Sequence, residues 1–224
     1  MNAITEKLRP FTSDERIALL EKKLNLRTDY ITVCLQDIYY PQNAGAILRT
    51  SEAFGIQHVH IIEDKNPFEI NHKVEKGAAK WLHLHRYGHK QFKDPNQAAV
   101  DQLKKEGYRI VVTSPHQSSC TPFDLDLSKG KIALIMGTEK DGASEWMLQQ
   151  ADEYLHIDMA GFVESLNVSV CAAIALNVLC KRLRESNLPW KLDPQSKEAI
   201  LEEWVKKSVR SIDPIMKLIE DGKL

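Results

Sequence analysis

No stretch of the 224-residue sequence approaches the roughly 18 consecutive apolar residues that a membrane-spanning helix needs. Residues 1–25 are charged and lack the apolar core of a signal peptide. The chain therefore reads as cytoplasmic, with no membrane partner. Cysteine is scarce. Cys34, Cys120, Cys171 and Cys180 fall at no zinc-like spacing, and without an export signal they read as reduced thiols. A surplus of charge is missing too. Lys and Arg total 30 against 31 Asp and Glu, a net charge of −1. That excludes a histone-like polybasic binder but leaves RNA binding by local patches open. No internal repeat or low-complexity tract stands out. No Gly-x-Ser-x-Gly elbow appears, no Gly-Lys-Ser/Thr closes a phosphate loop, and no Gly-x-Gly-x-x-Gly follows a strand. A nucleotide-binding Rossmann reading therefore lacks its phosphate loop.

What is present is enough apolar material, 43% of residues, for one domain of ordinary core size with short terminal appendages. Ile17, Leu20 and Leu24 recur at helical spacing, which predicts an amphipathic leader helix within residues 1–27, with an N-cap in Thr12-Ser13-Asp14-Glu15. Short β-prone runs follow at residues 31–35, 58–62, 81–84, 108–113, 131–136 and 154–157. Within Lys131 to Met136 the residues from Ile132 onward are continuously apolar, which predicts a strand buried on both faces. Helices are predicted from Asn43 to Phe54, stopped by Gly55, over residues 95–106, and from Asn167 to Leu183. This alternation predicts an α/β fold with a mostly parallel sheet flanked by helices, spanning residues 28–187. Residues 188–194 read as an extended linker. A last helix is expected from Ser196 to Lys207, followed by a tail, so residues 188–224 form a C-terminal helical extension.

Open parallel sheets collect ligands at the carboxyl ends of their strands, and three loops there are unusual. The first is Asn43-Ala44-Gly45-Ala46-Ile47-Leu48-Arg49-Thr50. Arg49 could fork onto a phosphate; equally, Asn43 could be only an N-cap and Arg49 a solvated helix residue. The second is Gly137-Thr138-Glu139-Lys140-Asp141-Gly142, where two glycines bracket a polar turn. It admits a ligand or merely turns at the surface. The third, residues 161–170, carries Ser165, Asn167 and Ser169 into an apolar helix. Helix capping explains one of these polar residues readily, all three less easily.

Other signals are weaker. His83 and His85 share one strand face and His58 and His60 another, but nothing supplies further ligands, so no metal is expected. Cys171 and Cys180 lie in an apolar helix and read as core or interface residues rather than nucleophiles. Basic clusters at Lys22, Lys23 and Arg27, at His89, Lys90 and Lys93, and at Lys181, Arg182 and Arg184 are either phosphate contacts or solvated faces.

Taken together, the three loops resemble, in order and spacing, the three motifs of the SpoU/TrmH branch of the SPOUT RNA methyltransferases. Asn43 to Thr50 is similar to motif 1, Ile135 to Gly142 to motif 2 and Ser165 to Val170 to motif 3. The similarity runs from about Ile31 to Leu183 and, more weakly, through Leu192-Asp193-Pro194 to the helix containing Trp204. Those terminal features and Glu139-Lys140 look most like members that methylate a guanosine of the tRNA D-loop, at position 18.

The resemblance implies a C-terminal trefoil knot that forms an S-adenosylmethionine pocket, and a homodimer with the active site near the subunit interface. It implies that Thr113, Met136, Gly137, Ile157, Met159 and Leu166 line the cofactor pocket. It implies Arg49 as the central catalytic residue, with Asn43, Glu139, Ser165 and Asn167 holding the site together or contacting cofactor and RNA. Lys22, Lys23, Arg27 and Lys90 would then be RNA contacts. The alternatives are a ribosomal-RNA 2′-O-methyltransferase of the same family and a catalytically silent RNA-binding dimer. Four departures stand out. Gly45 replaces a frequent Ser, Asp158 a usual Pro, and Glu164 a usual Gln, and the leader lacks an arginine-dense run.

Overall fold

The computed structural model describes residues 3–117, 120–221 and 223. In chain order, α1 (Ala3–Leu8) and α2 (Asp14–Leu24) precede β1 (Ile31–Gln36), α3 (Pro41–Ala53) and β2 (His58–Glu63). Next come α4 (His72–Glu75), β3 (His83–Gly88), α5 (Pro95–Lys105), β4 (Arg109–Thr113) and β5 (Ile132–Met136). The chain continues with α6 (Glu145–Gln149), β6 (Glu153–Leu155), α7 (Val168–Glu185), α8 (Pro194–Ser208) and α9 (Ile212–Glu220). Two compact units result: Asp29–Trp190, and Met1–Thr28 with Lys191–Leu224.

The larger unit is an α/β layer structure. Its six strands lie in the order β3-β2-β1-β5-β4-β6, every named pairing parallel. β1 and β5 are buried along their whole lengths, as strands covered on both faces must be. On one face Val33, Leu35, Ile61 and Leu134 pack with Ile47 and Leu48 of α3 and Leu176 and Leu179 of α7. On the other, Cys34, Ile110, Val112 and Ile135 pack with Val100 and Leu103 of α5 and Met147 of α6. The register pairs Leu35 with Met136, so β1 and β5 end side by side.

The smaller unit is helical. Pro10 interrupts the leader in a 3-10 turn, so the single leader helix expected from the sequence is two. Ser13 caps α2, its hydroxyl accepting the Arg16 N–H at 3.2 Å. Asp193 caps α8 in the same way, accepting the Ser196 N–H at 2.9 Å. Ile17, Leu20 and Leu24 are buried in α2, as are Ile200, Leu201, Trp204 and Val205 in α8. Arg27, expected to face RNA, is buried: its guanidinium lies over the Trp204 ring, 5.0 Å from the centroid. A cation stacked in a helical core cannot reach a phosphate, so Arg27 is a packing residue. The tail is not irregular either; α9 occupies it, with Ile212, Ile215, Met216 and Ile219 on one helical face. Among the described residues no helix is long and apolar enough to cross a membrane.

Element boundaries moved where backbone chemistry outweighed apolar pattern. α3 starts at Pro41, two residues before its expected start, because a proline is at home in the first turn, where no N–H is needed. β3 begins at His83, since residues 78–81 form a 3-10 turn. β6 stops at Leu155.

Candidate active site

β1 and β5 sit where the strand order changes direction, the point at which parallel sheets open a crevice beyond their carboxyl ends. Residues 37–40 leave β1 there, and residues 137–143 leave β5. The second loop is closed by a reciprocal pair: Thr138 N–H to Gly142 O at 2.9 Å and Gly142 N–H to Thr138 O at 3.1 Å. A Cβ on Gly137 would overlap the backbone of Gly142 and Ala143, so only glycine permits this turn.

The turn presents Glu139 to the start of α3. Its carboxylate accepts the Tyr39 N–H at 3.1 Å, the Tyr40 N–H at 3.1 Å and an Asn43 Nδ2–H at 2.8 Å. Burial works to raise the Glu139 pKa, but the donors from Asn43, Tyr39 and Tyr40 outweigh it and hold the carboxyl below its usual range. The positive end of α3 acts in the same sense. Tyr40, not Asn43, is the N-cap of α3, and Asn43 turns its side chain to Glu139 instead.

Asn167 is the N-cap of α7, its Oδ1 accepting the Ser169 N–H at 2.8 Å and the Ser169 hydroxyl at 2.6 Å. Its Nδ2 donates to Asn43 Oδ1 at 3.1 Å. One continuous hydrogen-bond chain, Glu139–Asn43–Asn167, therefore joins the three unusual loops. Capping accounts for Asn167 and Ser169 together. Ser165 lies instead on the wall of a cavity.

That cavity, about 280 Å³, opens between the 137–143 turn, the end of β4 and the 155–168 segment. Thr113, Met136, Gly137, Ile157, Met159 and Leu166 all line it, with Glu139 and Ser165. Its wall mixes apolar side chains, among them Leu155 and Leu166, with polar ones, among them Ser114 and His156. The Thr113 hydroxyl is committed to Ile135 O at 2.9 Å. His156, which sequence reasoning missed, donates or accepts through Nε2 at Asp158, 3.2 Å away, while its buried Nδ1 has no partner among the described residues. The Asp158 departure is thus the partner of a wall residue.

Arg49 is not brought to this cavity. It is exposed on α3 and contacts no carboxylate among the described residues. Gly45 keeps α3 close to α4, since a Cβ there would sit 3.1 Å from Asn71 O. Lys22, Lys23 and Lys90 are exposed. Arg182 is committed to Pro122 O at 2.8 Å, and Arg184 to Phe54 O. Cys171 borders the cavity, but burial pushes its thiol up to about 11, so it stays protonated and is no nucleophile.

The histidines meet on one sheet face. Register pairs His58 with His83 and His60 with His85. The His60 and His85 rings stack at 4.6 Å, and His58 Nδ1 lies 2.9 Å from His85 Nε2. Among the described residues no group of three or more His, Cys, Asp or Glu side chains is arranged to hold a metal.

Residues 30–177 match the family model described as SpoU rRNA Methylase family. The chain belongs to this SpoU family. It is 39% identical over 212 residues, 95% of this chain and 94% of the relative, to the tRNA (guanosine(18)-2′-O)-methyltransferase of Borreliella burgdorferi. Its fold is shared with the TrmH/SpoU tRNA modifying enzyme of A. aeolicus, with a TM-score of 0.74 and 24% identity, covering 88% of this chain and 98% of that one. The fold is also shared with the SpoU methyltransferase AviRb from Streptomyces viridochromogenes, solved in complex with AdoMet. There the TM-score is 0.59 at 20% identity, over 74% of this chain and 65% of that one.

Proposed function

We propose that this SpoU-family chain is an S-adenosylmethionine-dependent tRNA 2′-O-methyltransferase that modifies guanosine 18 in the D-loop. The observation that carries the reading is the Glu139–Asn43–Asn167 chain set at the mouth of a cavity beyond β1 and β5. The target nucleotide follows the B. burgdorferi relative, whose similarity spans both units. We place the activity in the cytoplasm, with its RNA.

The cavity suits the cofactor on its own features. Apolar walls at Met136, Leu155, Ile157, Met159 and Leu166 accept a flat purine and a thioether-like chain, and the unpartnered His156 Nδ1 offers a polar group to a ligand. When bound, S-adenosylmethionine supplies a methyl group activated by its sulfonium. The chain supplies alignment. Glu139 ties the loops together rather than serving as base: a carboxylate already accepting three N–H groups and held ionised binds a proton weakly. Gly137 lets the turn close over the cavity, and Ser165 sets a hydroxyl on its wall.

Arg49 clamps the phosphate beside the target ribose and polarises its 2′-hydroxyl, whose proton leaves to that phosphate or to water. A guanidinium with pKa above roughly 12 is suited to such a clamp and poorly suited to be a base. Because Arg49 is exposed and away from its own chain's cavity, this role requires a homodimer that carries it toward the cavity of a second copy. The trefoil thread belongs to the same proposal. Lys22, Lys23 and Lys90 contribute exposed positive charge toward RNA phosphates, and affinity should fall steeply with salt.

The test is incubation with methyl-labelled S-adenosylmethionine and either tRNA or ribosomal RNA, followed by mapping of ribose methylation. Label confined to guanosine 18 of tRNA is expected. Label in ribosomal RNA alone overturns the target, and absence of label in either RNA overturns the reaction.

A further inference from the structure

Tyr39 and Tyr40 are 64% and 52% exposed, although tyrosines of this size are usually buried when a fold has use for their apolar area. They stand on the loop between β1 and α3, directly on the carboxylate of the site. Both backbone N–H groups are pinned to Glu139, at 3.1 Å each. Pro41 follows and fixes the next φ. The root of the loop is equally rigid. Asp37 is buried and accepts the N–H groups of Asp64 at 2.9 Å and Lys65 at 2.8 Å. The two rings lie edge to face, with centroids 5.0 Å apart and planes 84° apart. Two aromatic rings are therefore held out on a stiff mount whose backbone is tied to Glu139, a residue of the cavity wall, at no further cost in loop ordering.

We propose that Tyr39 and Tyr40 form a stacking platform for an unpaired RNA base beside the ribose presented to the cavity. This deepens the methyltransferase reading and rests on it. Single-stranded RNA bases are held on exposed aromatic faces, and any base offers a π-face to such a ring. The rings at right angles suit one base: one ring stacks on it while the other closes its edge. A protein partner is the weaker match. Gln42 and the polar Glu139 turn border the pair, whereas a stable protein interface needs about 800 Å² of continuous surface on each side. Neither tyrosine is a catalytic residue; both are positioning residues for substrate.

The experiment uses the full chain with Tyr39→Ala, Tyr40→Ala, the double variant, and Tyr→Phe at both positions. Alanine keeps the backbone N–H groups, so the contacts to Glu139 survive. Filter binding to unmodified tRNA at fixed salt and steady-state methyl transfer are measured side by side. The alanine variants should weaken tRNA binding and raise KM for tRNA roughly 5- to 100-fold, with kcat within about twofold. Affinity for S-adenosylmethionine should be unchanged. The phenylalanine forms should restore tRNA binding, because the face and not the hydroxyl makes the contact. Wild-type tRNA affinity in the alanine variants overturns the platform. So does failure of phenylalanine to rescue, or a change in sedimentation mass, which would put the rings against a second copy. A wild-type protein that binds tRNA but transfers no methyl group overturns the enzymatic reading instead, and the binding comparison still decides the platform.

Discussion

Acidification from pH 7.5 to 5 should destabilise the Asp29–Trp190 unit through two histidines. Burial, then the neighbouring His85, depresses His58 to about 4; burial, then His85 and His58, depresses His60 to about 3. In the unfolded chain an imidazole titrates near 6.5. Each ring therefore stays neutral in the fold while its unfolded counterpart takes up a proton. For depressed groups of this kind the stabilisation is fully present above pH 6.5 and is lost as pH falls toward 4 and 3. At pH 5 each has given up about 1.5 pH units at roughly 1.4 kcal/mol per unit, or about 2 kcal/mol. Together they remove about 4 kcal/mol, a large share of the roughly 5–15 kcal/mol that holds a typical domain. His85, also lowered by burial first, steepens the slope. Urea unfolding at steps between pH 7.5 and 5 measures the effect. His60→Gln, which leaves a neutral side chain near the Tyr87 hydroxyl now 2.9 Å from His60 Nδ1, should flatten the slope by about one proton, whatever it costs at pH 7.5. A stability that is flat from pH 6.5 to 5, or a slope unchanged in His60→Gln, refutes the reasoning.

Gly137→Ala drives a methyl group into the Gly142–Ala143 backbone, so the turn must open; calorimetric titration should show binding of S-adenosylmethionine weakened at least 10-fold. Asn43→Ala removes the hydrogen bonds to Glu139 and Asn167 and should cost about 1–3 kcal/mol by urea denaturation, with methyl transfer reduced; unchanged stability would mean that the chain of contacts ties nothing. Arg49→Lys keeps the charge but loses the planar fork, and turnover should drop about 30- to 100-fold; near-normal turnover would show that a point charge suffices.

The parts of the fold that were legible in the sequence were those set by apolar pattern. The continuous apolar run at Ile132 to Met136 marks β5 because a strand covered on both faces leaves no polar alternation. What pattern does not encode went astray. The start of α3 was set by Pro41 and a carboxylate from another loop, not by Asn43. The burial of Arg27 was hidden because its partner, Trp204, is far away in sequence. α9 lies where the sequence predicts only a tail: Ile212, Ile215, Met216 and Ile219 repeat at helical spacing, but Pro214 interrupts that pattern near its start. At the site, the polar residues of three loops could be named singly, and each had an ordinary explanation. Only the resemblance joined them, and the structure places Glu139, Asn43 and Asn167 in one hydrogen-bonded chain. Tyr39 and Tyr40 sat in plain view in the first loop, but exposure is not written in a sequence.

The most direct measurement is a crystal structure grown with S-adenosylmethionine. Ligand density between Thr113, Gly137 and Leu166, with Glu139, Asn43 and Asn167 still linked at its rim and an Arg49 from a second copy approaching it, is the expected result. Ligand lodged elsewhere, or this cavity filled while every Arg49 in the crystal points away with no space for a ribose between, would contradict it.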